Sequence, residues 1–78
     1  MPKVVIYTTS ECVYCKMAKK FFEKNSISYE EKDISVDNLA REEMIEKSGQ
    51  MGAPVIDIGG KIIIGFDEEE LSKILAAK

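Results

Sequence analysis

Histidine is absent from this sequence, arginine occurs once, at Arg41, and cysteine occurs twice. A structural zinc site takes four Cys or His ligands, so two cysteines alone cannot build one within a single chain. The formal net charge of −3 and the pI near 4.9 leave no basic face with which to grip nucleic acid. They also offer no attraction to an anionic membrane surface. No apolar run approaches the ~20 residues of a membrane helix. The opening MPKVVIYTTSE has neither the long apolar stretch nor the small-residue cleavage site of a secretory signal. The expected location is cytoplasmic, where a disulfide is more often catalytic than structural. At 78 residues the expectation is one small domain over residues 1–78, acting as a monomer.

What the sequence does contain is a regular alternation of strand-like and helix-like segments. Lys3 to Thr8 (KVVIYT) is apolar and β-branched, as expected of a strand buried on both faces. Val13 to Asn25 carries Tyr14, Met17, Ala18, Phe21 and Phe22 at three- and four-residue spacing, which predicts a helix with those residues on its buried stripe. Ile27 to Asp33 reads as a shorter strand. Ser35 to Ser48 reads as a second helix capped by Ser35, with Asp37 in its first turn and Leu39, Ala40 and Met44 buried. Gly49 suits its left-handed end. Val55 to Ile58 and Lys61 to Ile64 flank Gly59-Gly60, a strong hairpin signal. Asp67 is placed to cap a last helix from Glu68 to Ala77. The order β-α-β-α-β-β-α predicts an α/β fold. It has a four-stranded mixed sheet, parallel in its first βαβ unit and antiparallel in the hairpin, flanked by three helices.

Both cysteines lie in YTTSECVYCK, where the first strand gives way to the first helix. Four roles suit such a pair. Two copies of the chain together supply four thiolates, enough for a metal or iron–sulfur cluster. A disulfide staple across so short a loop stabilises by only roughly 2 kcal/mol. Two inert buried thiols are the plainest role. The fourth is a redox pair. Cys12 would sit at the helix N-cap and Cys15 in the first turn. There the unpaired N–H groups and the helix dipole favour a thiolate, with Lys16 and Lys19 adding positive charge. C-x-x-C beside a βαβ pattern reads as a thioredoxin-like redox motif.

The sequence resembles the glutaredoxin family, within the thioredoxin fold, over essentially its whole length. The likeness rests on YTTSECVYCKMAKKFF, on GAPVIDI with its proline, and on GGKIIIGFDEEEL. It implies a thiol–disulfide oxidoreductase with Cys12 attacking and Cys15 resolving, and with Pro54 as a cis-proline beside them. The Ala53 backbone, preceded by Gly52, would pair with an extended substrate. Gly65-Phe66-Asp67 would form the turn over the last helix that holds a substrate's charged end. Tyr14, Met51, Ala53 and Phe66 would form an apolar rim. No tightly bound cofactor is implied; glutathione would be a co-substrate, and protein disulfides the partners. The alternative is a dimeric iron–sulfur module using Cys12.

This sequence also departs from the family pattern. Val13 stands where C-P-Y-C has its proline, although Tyr14 is kept. Thr9 stands where many members carry a basic residue, and Gln50-Met51-Gly52-Ala53-Pro54 replaces a basic approach to T-V-P. Cationic donors are the strong partners of carboxylates, so their loss predicts weaker glutathione binding, offset in part by Lys16 and Lys19. The SGQMGAP and IGFD segments resemble the small redoxins that reduce ribonucleotide reductase. Those are often recharged by thioredoxin reductase.

Overall fold

The structure, a computed structural model, describes residues 3–75. The strand β1 (Val4–Thr8) is buried along its whole length, the consequence of its continuous apolar run. It occupies an inner position in a four-stranded sheet of order β2-β1-β3-β4. β2 (Glu30–Asp33) runs parallel to it, with Val5 opposite Glu30. β3 (Val55–Ile58) runs antiparallel on its other side, with Tyr7 opposite Val55. β4 (Lys61–Ile64) closes the hairpin expected around Gly59-Gly60, whose φ angles of 59° and 101° fit glycine. The helices are α1 (Val13–Lys24), α2 (Asn38–Ser48) and α3 (Glu68–Leu75). This is the thioredoxin-like arrangement expected from the sequence. No helix among the described residues is long and apolar enough to cross a membrane.

The period of two along β1 sends its side chains to opposite faces of the sheet. Val4 and Ile6 join Ala18, Phe21 and Phe22 of α1 and Leu71 of α3 in one core. Val5 and Tyr7 join Ala40 and Met44 of α2 in the other. Each buried Val, Ile, Leu, Phe or Met among them stabilises by about 1.5–3 kcal/mol.

Several boundaries and faces differ from expectation. Helix α2 starts at Asn38, and Asp37 caps it, accepting from the Ala40 N–H at 3.0 Å. Ser35 instead turns back to the Asp33 carboxylate through both its N–H and its hydroxyl. The aspartate wins as cap because it alone reaches the first free N–H groups. Ala40 and Met44, four residues apart, share the buried face of α2, and Leu39, about 100° round the helix from Ala40, is exposed. On α1, Tyr14 and Met17 also lie exposed; the buried face is Cys15, Ala18, Phe21 and Phe22. Asn25 is the C-cap of α1 rather than its last turn. Strand β2 starts at Glu30, although Ile27 and Tyr29 still pack against the core. Gly49 ends α2 at φ 71°, as expected. The last helix is described to Leu75; Ala76 and Ala77 lie outside the described residues.

The α2 face carries a polar network that sequence reading does not reveal. The Tyr7 hydroxyl, on a fully buried residue, donates to Glu43. Lys47 donates to Tyr7 at 3.2 Å and to Asp57 at 2.7 Å, and Lys32 donates to Glu43 at 3.0 Å. The hydrogen bond from Tyr7, followed by that from Lys32, lowers the Glu43 carboxyl to about 2. Burial pushes Asp57 up, but Lys47 and the Gly60 N–H together outweigh it and hold the carboxyl below its usual value. The hydrogen bond to Asp57 raises Lys47.

Candidate active site

Strand β1 ends at Thr8, and within four residues the chain has entered α1. Cys12 is the N-cap of that helix, with extended backbone at φ −90° and ψ 111°. The first turn of a helix leaves N–H groups without intrahelical partners. One of them, the Cys15 N–H, donates to the Cys12 Sγ at 3.1 Å. The Cys12 N–H in turn donates to the Thr9 carbonyl at 3.4 Å. The two sulfurs are joined as a disulfide, with Cα atoms 5.2 Å apart. Burial separates the partners: Cys15 is 1% exposed, whereas Cys12 is only partly covered.

Directly beneath this turn, the Thr8 hydroxyl donates to Glu31 of β2 at 2.8 Å, and Lys19 of α1 reaches the same carboxylate at 3.0 Å. The Lys19 hydrogen bond, against the opposing effect of burial and with help from Thr8, lowers Glu31. This bond ties α1 to the sheet at the end where the cysteines lie.

The peptide bond between Ala53 and Pro54 is cis. Pro54 is buried, and its carbonyl accepts from the Gly65 N–H at 2.8 Å, which fixes the β3 entry against the turn after β4. Gly65 has φ 80°, a left-handed conformation that glycine adopts at little cost. Asp67 caps α3: its carboxylate accepts from the Glu70 N–H at 3.1 Å. A groove of about 530 Å³ is lined by Tyr14, Ala53, Pro54, Gly65, Phe66 and Asp67, together with Ile64 and Glu68. Six of the sequence-selected residues thus meet in one place. Cys12, Cys15, Thr9, Lys16 and Gly52 are not among its lining residues; Thr9 is half-buried, and Lys16 and Gly52 are exposed. Ile64 and Glu68 were missed because they read as an ordinary strand residue and a helix-start acid. The alternation of KIII, with Ile63 buried and Ile64 more than half exposed, was the available signal for Ile64. Among the described residues no group of three or more Cys, Asp or Glu side chains is set to hold a metal ion.

A cysteine pair at the mouth of a helix that follows an inner strand, on a sheet whose next strand opens with a cis-proline, defines a thioredoxin-fold redox protein. The particular family follows from comparison. The glutaredoxin family model matches residues 4–63, and the chain belongs to the glutaredoxin family. It is 38% identical over 72 residues to an uncharacterized glutaredoxin-like 8.6 kDa protein in the rubredoxin operon of Clostridium pasteurianum, covering 92% of this chain and 96% of that one. It is 35% identical over 74 residues to the glutaredoxin-like protein NrdH of Lactococcus lactis (strain IL1403), covering 91% and 97%. Among solved structures, the glutaredoxin (grx-1) of Archaeoglobus fulgidus superposes with a TM-score of 0.86 at 26% identity, covering 96% of this chain and 87% of that one. Family membership and the Cys12–Cys15 pair together support thiol–disulfide oxidoreductase chemistry.

Proposed function

We propose that the protein reduces disulfides of other proteins through a dithiol cycle, with Cys12 as nucleophile and Cys15 as resolving thiol. The observation that carries this is the asymmetry of the pair. Cys12 is the partly exposed sulfur and receives the Cys15 N–H, while Cys15 is buried behind it. The helix N-terminus stabilises a thiolate at position 12. In the reduced protein the Cys12 thiolate attacks one sulfur of the target disulfide. The target S–S bond breaks, its other sulfur leaves as a thiolate and takes up a proton, and a mixed disulfide joins Cys12 to the target. Cys15 then loses its proton and attacks the Cys12 sulfur. The second target thiolate leaves, and two electrons have passed to the target. The product is the Cys12–Cys15 disulfide of the present structure.

The groove lined by Tyr14, Ala53, Pro54 and Phe66 is the substrate site in this proposal. The Ala53 backbone pairs with an extended target segment, while Tyr14 and Phe66 bracket it. Its charged lining residues are Asp67 and Glu68, a poor match for glutathione, whose net charge is negative. Thr9 and Gln50 also supply no cation where other family members carry one. We therefore assign recharging to an NADPH-dependent thioredoxin reductase rather than to glutathione. Ribonucleotide reductase is the first target class, on the resemblance of the SGQMGAP and IGFD segments. The chain would act as a single-domain cytoplasmic monomer.

The test is NADPH consumption with a disulfide substrate, coupled either to thioredoxin reductase or to glutathione plus glutathione reductase. Turnover is expected with the first and at most a tenth of that rate with the second. The reverse ratio would overturn the assigned electron source. Cys12→Ser is expected to abolish turnover, whereas Cys15→Ser should accumulate a mixed disulfide visible by mass spectrometry. Full activity in Cys12→Ser with loss in Cys15→Ser would reverse the roles.

A further inference from the structure

A second groove, of about 490 Å³, runs between α1 and α3. Its floor is apolar: Met17, Phe21 and Phe66, with the Phe21 and Phe66 rings edge-on at 6.1 Å between centroids. It shares Phe66 and Glu68 with the groove described above, so the two grooves adjoin, and the first is lined by Tyr14, which stands between Cys12 and Cys15 in the sequence. Its α1 wall is cationic. Lys16, Lys20 and Lys24 stand one turn apart on the exposed surface, and Lys20 and Lys24 line the groove. Among the described residues none of the three makes an ion pair, whereas Lys19 is held by Glu31.

This concentration is unusual for the chain. Helix α1 carries four lysines and one glutamate, although the protein has a formal net charge of −3. The first turn of α1 holds no acidic residue, and Lys16 follows immediately, near a helix end where a cation is unfavourable. Helix stability therefore does not account for Lys16 or for mid-helix Lys20; only Lys24, in the last turn, gains from the helix dipole. Successive lysines four residues apart are about 6 Å apart along the axis. Alternate residues of an extended chain repeat at about 6.6 Å. A strand-like segment with acidic residues at every second position matches the ladder in both sign and spacing. On the opposite wall Glu68 repels such a segment and directs its acids to the α1 side.

We propose that the α1–α3 groove is a docking site for an acidic extended segment of the disulfide-bearing target, adjacent to its reactive cysteines, with one apolar side chain seated on Phe21 and Phe66. The proposal rests on the disulfide-reductase reading above and adds the substrate class to it.

The experiment compares synthetic peptides with an identical disulfide, followed at a fixed distance by Glu-Leu-Glu, Lys-Leu-Lys or Glu-Gly-Glu. Dithiothreitol is the reductant, the protein is used at catalytic amounts, and every rate is the excess over the same mixture without protein. At low salt the Glu-Leu-Glu peptide is expected to be reduced at least tenfold faster than the lysine peptide. It should be severalfold faster than the glycine peptide. At 1 M salt, where the Debye length is about 3 Å, the charge preference should shrink toward unity. In the Lys20→Glu/Lys24→Glu variant the acid-to-lysine ratio should fall below one. That ratio is internal to each protein sample, so a change in folded fraction cancels. Equal rates for acidic and basic peptides, or a ratio untouched by the charge reversal, would overturn the docking site. Equal rates for the leucine and glycine peptides would remove its apolar seat. A small neutral disulfide serves as the control. If the protein accelerates its reduction while no peptide preference appears, the docking site alone fails. If the protein does not accelerate it, the disulfide-reductase reading fails as well.

Discussion

Replacing Lys47 with methionine keeps the aliphatic stem and deletes the charge that Asp57 faces at 2.7 Å. The Asp57 side chain is 13% exposed and would be left with one hydrogen bond, from the Gly60 N–H at 2.8 Å. Breaking a fully buried pair costs about 3–5 kcal/mol; Lys47 is partly hydrated, so about 2 kcal/mol is the working figure. For a domain of this size each kcal/mol moves Tm by about 4–8 °C, so the single variant should melt about 8–16 °C lower. Burial then acts on Asp57 unopposed by a cation and raises its pKa in the folded state. A raised folded pKa means that protonation favours the folded form, so the defect should shrink as pH falls. Asp57 points to the same core as Val55 and Met44, which a valine there would extend. The double variant Lys47→Met/Asp57→Val should therefore lie within about 1 kcal/mol of the parent, since replacing both partners removes the desolvation cost along with the attraction. Thermal melts followed by circular dichroism at pH 7 and pH 5 test all three statements. A single variant melting within about 3 °C of the parent, or a double variant as unstable as the two singles combined, would refute the reasoning.

Three further outcomes follow from other parts of the molecule. Glu43 is held at about 2 from an ordinary 4.5; its contribution is present above pH 4.5 and lost as pH falls toward 2. The full displacement corresponds to about 3 kcal/mol, which screening at a side chain 39% exposed cuts to about 1 kcal/mol. Acid denaturation of Glu43→Gln should lack that part of the curve. Asp37→Ala should cost about 1 kcal/mol through its lost cap, and Ser35→Ala less than about 0.5, as urea midpoints would show. Phe22→Ala, at a fully buried position touching both Phe21 and Tyr29, should cost about 3–5 kcal/mol. Amide exchange would then reveal a substantially unfolded population.

Strong local signals carried most of the architecture. The apolar run of β1, the glycine pair of the β3–β4 hairpin and the Asp67 cap each have one dominant physical reason, and each appears where the sequence placed it. Helix α2 was misjudged at its start because Ser35 and Asp37 are both good caps. Only the chain's path out of β2 decides between them. The buried faces of α1 and α2 were misassigned at Tyr14, Met17 and Leu39. Hydrophobicity shows that a residue belongs on an apolar face, but not whether that face meets the core or solvent. The cysteine pair was legible because its chemistry is local. The Tyr7, Glu43, Lys47 and Asp57 network was not, since its members come from β1, α2 and β3. Only Glu43 and Lys47, four residues apart on α2, are linked by sequence spacing; nothing local ties them to Tyr7 or Asp57.

The donor to the Cys12 sulfur is a main-chain N–H, not a side chain. Short of a proline, no substitution at position 15 removes it. The two side chains between the cysteines, Val13 and Tyr14, are mostly exposed. In the proposed cycle, the hydrogen bond that holds the Cys12 thiolate is thereby separate from the side chains that would meet a partner. Surface residues can drift, and partner choice with them, while the Cys12 sulfur keeps the same hydrogen bond. A scaffold built this way can acquire new clients without retuning its chemistry.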